Sequence, residues 1–202
     1  VKIEGDALGL LETSSIAAGV RATDEVLKTA TIRLVEACPV SPGKFLVVFS
    51  GGVAEVEASL ERGRAVCGPH LVDRLLLPRV HQDVAPAIER KGAGGELGVA
   101  IGVVETLTVA STIEGADAAA KAARVRLLEI APARGIGGKA FFTMTGDVAA
   151  VEAAAQAAHA LIEARGVHLR TEVLAGPHEI LIRRVGRGLM PGSRRLGEGD
   201  GE

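Results

Sequence analysis

Apolar residues along this chain fall into two patterns, and the patterns alternate in the same order twice. Short runs rich in apolar residues, at Ala7–Thr13, 32–37, 44–50 and 71–77, have the length and density of strands. They recur at Ala100–Thr106, 125–130, 139–145 and 169–174. Between the first and second run of each set the spacing changes to four, three, four, three. Ile16, Val20, Thr23, Leu27 and Ala30 in the first set, and Val109, Ile113, Ala116, Ala120 and Ala123 in the second, fall on one face of a helix and are expected to be buried. A second stripe follows the third run, through Val53, Val56 and Leu60, and again through Val148, Val151, Ala155, Ala158 and Ile162. The order in each half is β-α-β-β-α-β, a split βαβ unit in which one face of a four-stranded antiparallel sheet carries both helices.

The halves also repeat residue by residue. Gly9-Leu10-Leu11-Glu12-Thr13 returns as Gly102-Val103-Val104-Glu105-Thr106, an offset of 93. At that offset Asp24 meets Asp117, Lys28 meets Lys121, Ala30 meets Ala123 and Pro39 meets Pro132. The register then moves by two: Gly43-Lys44 meets Gly138-Lys139, Gly51 meets Gly146, and Val53, Val56 and Glu57 meet Val148, Val151 and Glu152. A long period occurring twice means two homologous domains rather than a solenoid. The division is set at 1–93, 94–185 and a flexible tail at 186–202 that has no apolar periodicity. A short helix is read near 84–90, and Gly92-Ala93-Gly94-Gly95 is read as a flexible linker.

Composition narrows the function classes. The chain has 202 residues, 48% of them hydrophobic, but only four Phe and no Tyr or Trp. The core is therefore built from Ala, Val, Leu and Ile, which suits small helices packed closely on a sheet. A net charge of -2 forces no basic face, and base-stacking aromatics are lacking, so no nucleic-acid partner is expected. No apolar run approaches the ~20 residues of a membrane span, and no membrane partner is expected. No charged-then-apolar leader opens the chain, and Val1 is read as a processed or trimmed start. Cys38 and Cys67 form neither a ligand motif nor a disulfide framework, which fits a reducing cytoplasm.

Four features invite a chemical reading. Gly135-Ile136-Gly137-Gly138-Lys139 suggests a phosphate loop, but Ala133 stands where the first glycine belongs, Ala140 where Ser or Thr belongs, and a strand follows instead of a helix. His81 and His178 follow equivalent strands, each without a Ser-His-Asp or Cys-His pattern or clustered ligands, and are read as structural. Glu12 and Glu105, at the ends of the first strands, suggest a shared structural role, with a buried acid left open. Cys38 reads as a small buried hydrophobe. No catalytic, cofactor-binding or metal-ligating set is expected.

Taken in order, the Ala-Leu-Gly-Leu-Leu-Glu-Thr opening at 7–13, Asp24…Lys28-Thr29-Ala30, Pro42-Gly43-Lys44-Phe45 and Leu77-Pro78-Arg79-Val80-His81 resemble the bacterial microcompartment (BMC) domain family. So do Ala100-Ile101-Gly102-Val103-Val104-Glu105-Thr106, Asp117…Lys121-Ala122-Ala123 and 135–139 in the second half, and the resemblance spans roughly 7–84 and 100–182. It implies an α+β chain of two tandem ferredoxin-like domains and a structural shell protein of the single-layer tandem type, located in a microcompartment shell in the cytoplasm. Such proteins form homotrimers whose six domains imitate a hexamer, tile facets with other shell proteins (hexamers and pentamers), and pass small metabolites through a central pore. On this resemblance Val40, Ser41, Pro42, Arg134, Gly135, Ile136 and Gly137 line the pore, and Lys28, Arg79 and Lys121 sit at the tile edge. Gly176 replaces the edge arginine in the second domain.

A tandem relative carries Cys immediately before the matching Pro-Gly-Lys turn, and three copies hold an iron–sulfur cluster on the axis. Here that position is Ser41, a poor substitute for a soft thiolate, with Cys38 three residues earlier. No cofactor is expected. The alternatives left open are a tandem small-ligand-binding regulatory module and an axial iron–sulfur electron carrier, since split βαβ domains serve several functions.

Overall fold

The computed structural model describes residues 5–89 and 97–190, so the glycine linker and the tail beyond Met190 lie outside the described residues. The first domain runs β1 (Ala7–Thr13), α1 (Ile16–Thr29), β2 (Arg33–Val40), β3 (Lys44–Gly51), α2 (Val53–Cys67), β4 (Leu71–Pro78) and a short α3 (Val84–Ile88). The second repeats it as β5 (Ala100–Thr106), α4 (Val109–Ala122), β6 (Arg126–Ala131), β7 (Ala140–Gly146), α5 (Val148–Glu163), β8 (His168–Ala175) and α6 (Glu179–Gly186). Each domain forms one antiparallel sheet, in the orders β2-β3-β1-β4 and β6-β7-β5-β8.

Local chemistry repeats with the topology. Ser15 caps α1 by accepting from Ala18 N at 3.3 Å, and Thr108 caps α4 by accepting from Ser111 N at 3.2 Å. The threonine that ends each first strand donates to the cap residue's carbonyl: Thr13 to Ser15 at 2.7 Å, Thr106 to Thr108 at 2.8 Å. Gly9 and Gly102 occupy matching places on the central strands. A Cβ at Gly9 would lie 2.5 Å from the Phe49 ring, and one at Gly102 would lie 2.5 Å from Met144 Cε. Each glycine lets a large side chain lie flat between sheet and helix.

The central strand β1 is buried on both faces, as a fully covered strand requires. Ala7 and Leu11 pack under α1 and α2 with Val47 and Phe49. Leu8 and Leu10 face the other way, into an apolar cluster that continues through α3 into the core of the second domain. In the second domain α6 folds back instead, placing Val185 on Ile101 and Leu128. The stretch read as a tail begins ordered: Leu189 N donates to Glu129 at 2.7 Å, and Met190 is buried.

One stripe departs from expectation. On α1 the buried residues are Gly19, Ala22 and Val26, while Ile16, Val20 and Leu27 are exposed. On α4 the matching stripe is buried as expected, except that Ala123 is only half-buried. On α2, Val56 and Leu60 are buried but Val53 is exposed.

Candidate functional site

The loops that follow β2 and β6 meet within one chain. Ser41 N donates to Ala133 O at 2.7 Å, and Gly135 N donates to Ser41 Oγ at 3.1 Å. The Arg134 guanidinium pairs with Glu36 on β2, a contact between domains. Beneath these bonds lies an open cavity of about 360 Å³, lined by Cys38, Val40, Ser41, Gly43, Arg134 and Gly135 together with Pro39. Val40 is buried at its base, Ile136 is half-buried, and Pro42, Gly135 and Gly137 are exposed. Gly135 and Gly137 hold φ of 69° and 67°, a left-handed backbone that turns the loop without steric cost. Lys139 leads into β7, so the glycine run enters a strand and lacks the helix N-terminus of a phosphate loop.

The two strand-end glutamates anchor these loops. Glu12 is buried and ion-paired with Lys44, the first residue of β3. Glu105 faces Lys139 at 3.6 Å. Each pair ties the exit of its loop to the central strand of its own sheet. Cys38 is buried in the shared apolar cluster, and Cys67 lies at the end of α2, where burial pushes its thiol pKa up and disfavours the thiolate. Ser41, at the position of interest for a cluster, already accepts the Gly135 N–H through its hydroxyl.

The three residues assigned to the rim stand apart from these loops. Lys28 pairs with Asp24 at 2.5 Å on the surface; the hydrogen bond and the carboxylate charge hold its ammonium pKa up. Lys121 makes the matching pair with Asp117 at 2.6 Å, but Asp117 is buried, and its Oδ1 also accepts from His81 N at 2.7 Å. That bond crosses between the domains. Arg79 is exposed with φ of 51°, a conformation that favours glycine, and Gly176 holds the equivalent place with φ of 62°. His81 and His178 each accept a backbone N–H through Nδ1, from Asp83 and Ile180 respectively.

Comparison of the domains exposes two open faces. Within the chain, α3 packs against α4 and β6, so domain one presents α3 and domain two presents α4. The matching elements, α6 and α1, have no such partner among the described residues. Val109, Ile113 and Ala120 on α4 are 3%, 0% and 7% exposed; Ile16, Val20 and Leu27, their counterparts on α1, are 47%, 55% and 42% exposed. Val84 on α3 is fully buried, whereas Leu181, at the equivalent position of α6, is 40% exposed, and Ile180 beside it 74%.

A sequence model of the BMC domain matches the chain twice, at residues 7–80 and 100–177. The chain belongs to the BMC domain family. It carries two BMC domains in tandem, and it is 38% identical over 182 residues to the bacterial microcompartment shell protein PduT of Citrobacter freundii, covering 90% of this chain and 98% of that one. A carboxysome shell protein, CsoS1 of Prochlorococcus marinus, is 33% identical over 97 residues; the match covers 46% of this chain and 91% of that protein. The crystal structure of a microcompartment protein from Desulfitobacterium hafniense superposes with a TM-score of 0.84 at 42% identity, covering 88% of this chain and 98% of that one. The repeat, the fold and the two BMC domains coincide, and the sequence resemblance to the family stands. Among the described residues, no helix is long and apolar enough to cross a membrane.

Proposed function

We propose that three copies of this microcompartment shell protein close head to tail into a ring of six domains, which tiles a shell facet and encloses a central pore. The observation that carries this reading is the pair of open faces. Domain one already meets domain two through α3 on α4. Repeating that contact between copies sets α6 of one chain on α1 of the next, a heterologous interface that closes after three chains if each domain turns one sixth of a circle. Ile16, Val20 and Leu27 are each about half exposed, so covering them contributes on the order of 1 kcal/mol per side chain. The same repetition brings His178 N of one copy to Asp24 of the next, as His81 N meets Asp117 within the chain.

The bonded loops support a pore reading for Val40, Ser41, Pro42 and 134–137. Three such loop pairs around an axis present glycine backbone, the Ser41 hydroxyl and three Arg134 side chains, each partly neutralised by Glu36. That rim suits small polar or anionic metabolites. Lys28, Arg79 and Lys121 are assigned to contacts with neighbouring tiles, including hexameric and pentameric shell proteins, with Arg79 on only three of six edges. The reading gives the chain no catalytic group. Electron microscopy of the purified protein tests it: tiles, sheets or tubes of six-lobed units with a central opening support it. Discrete particles without six-lobed units, or six-lobed units with Ser41 far from the axis, contradict it.

A further inference from the structure

The last turn of α5 and the first residue of β8 bring together three side chains that the shell reading does not use. His159 and Glu163 stand four residues apart on one helical face, and a tight turn, with Gly166 N donating to Glu163 O at 2.8 Å, returns the chain to His168. One ligand atom from each of the three lies within 4.8 Å of the other two. The imidazole rings of His159 and His168 meet edge to face at 4.4 Å, and His168 Nδ1 is 3.7 Å from Glu163 Oε2.

We infer that His159, Glu163 and His168 form a surface site for a divalent transition-metal ion of the zinc type. Two imidazole nitrogens and one carboxylate oxygen make a donor set that suits zinc and excludes calcium or magnesium, which take oxygen ligands. His168 is prearranged for the role. Its Nε2 lies 2.9 Å from Thr171 Oγ1 and its Nδ1 faces Glu163; in the tautomer whose Nε2–H donates to that hydroxyl, the Nδ1 lone pair is the one offered to the ion. The β8 end of the site is also fixed by backbone, with Leu107 N donating to Val167 O at 3.0 Å. His159 and Glu163 are exposed and can close on an ion by side-chain rotation alone. The neighbouring cation does not compete: Arg165 is turned to Glu114 at 2.5 Å.

The site belongs to the second domain only. His168 and Leu71 take the same place opposite Thr106 and Thr13, and the helical offset of 95 sets Arg64 and Gly68 against His159 and Glu163. With three protein ligands the fourth position stays open to water or to a donor from a neighbouring molecule. A bound ion ties the end of α5 to the start of β8.

The test uses the full chain, stripped with a chelator and titrated with cobalt(II) alone, then with zinc(II) in competition. The expected result is one cobalt per chain with the visible absorption of a tetrahedral site, displaced by zinc. Zinc at 100 times its Kd should also raise Tm by ~5–10 °C. His159→Ala should abolish the absorption while leaving the metal-free Tm unchanged, and Glu163→Gln should weaken cobalt binding by at least about 10-fold. No binding by the wild-type chain, or binding that survives His159→Ala and Glu163→Gln at full affinity, overturns the site. Both substituted positions are exposed, so the comparison does not depend on a His168 variant folding.

Discussion

Helices α1 and α4 carry the same apolar spacing and opposite exposure. On α4 the stripe from Val109 to Ala120 is sealed by the first domain; on α1 the stripe from Ile16 to Leu27 faces outward. Nothing in either helix's own domain accounts for the difference, since both lie on equivalent sheets and both start from a hydroxyl cap. What differs is the neighbour. An amphipathic stripe reports that a face is to be covered, and is silent on whether its own domain, its own chain or another copy covers it.

Equivalent substitutions on the two helices separate these cases most sharply. Ile113→Asp places an unpaired charge in the domain interface and should cost ~4 kcal/mol or more, read as loss of the folded baseline in chemical denaturation. Val20→Asp should change the intrinsic stability of the subunit by no more than about 0.5 kcal/mol and leave the circular dichroism spectrum intact. Sedimentation should instead show the trimer lost. Unfolding by both variants would mean that α1 is core after all.

The matched glycines give a smaller contrast. Gly9→Ala drives a methyl into the rigid Phe49 ring, whereas Gly102→Ala meets the flexible end of Met144. We expect ~2 kcal/mol of destabilisation for the first and about half that for the second, from denaturation midpoints at constant m.

Glu114 on α4 carries a raised pKa, chiefly because burial disfavours its charge; Arg165 opposes that shift and Asp73 and Asp117 add to it. A raised carboxyl pKa favours the fold while the group is protonated, and that contribution is lost as pH rises through the folded-state value. Glu114→Gln should therefore raise Tm at neutral pH by a small amount, of order 1 °C, limited by the lost Arg165 contact. The gain should vanish below the ordinary carboxylate range. A larger gain at low pH than at neutral pH would contradict the sign.

The tile-edge lysines act on assembly more than on folding. Lys28→Ala removes an exposed i,i+4 pair and should leave subunit stability unchanged. Adding Lys121→Ala also strips a salt bridge from the buried Asp117, which keeps the His81 N–H, and should cost measurable stability without unfolding the subunit. The trimer should persist while sheets fail to form in electron micrographs. Normal sheets from the double variant would remove the lysines from the tile edge.

Much of this was legible in the sequence. The two-fold repeat shows as a residue match at an offset of 93, the order of elements as apolar patterns of strand and helix, and the turns before Lys44 and Lys139 as their glycines. The exposure of Ile16, Val20 and Leu27 was not, because periodicity carries no information about which molecule supplies the cover. Arg79 shows no local mark of its left-handed backbone; only its alignment with Gly176 points to it. Of the three residues in the inferred metal site, His159 and Glu163 have a spacing readable as a helical pair. The part played by His168 depends on how the turn at Gly166 returns the chain to β8.

A structure of the assembled protein at a resolution that shows side chains tests the central claim most directly. The account predicts a trimer in which α6 of one copy covers Ile16, Val20 and Leu27 of the next, with His178 N–H donating to the carboxylate of Asp24 as His81 N–H donates to Asp117. An assembly of any size that leaves the α1 stripe in solvent would contradict it.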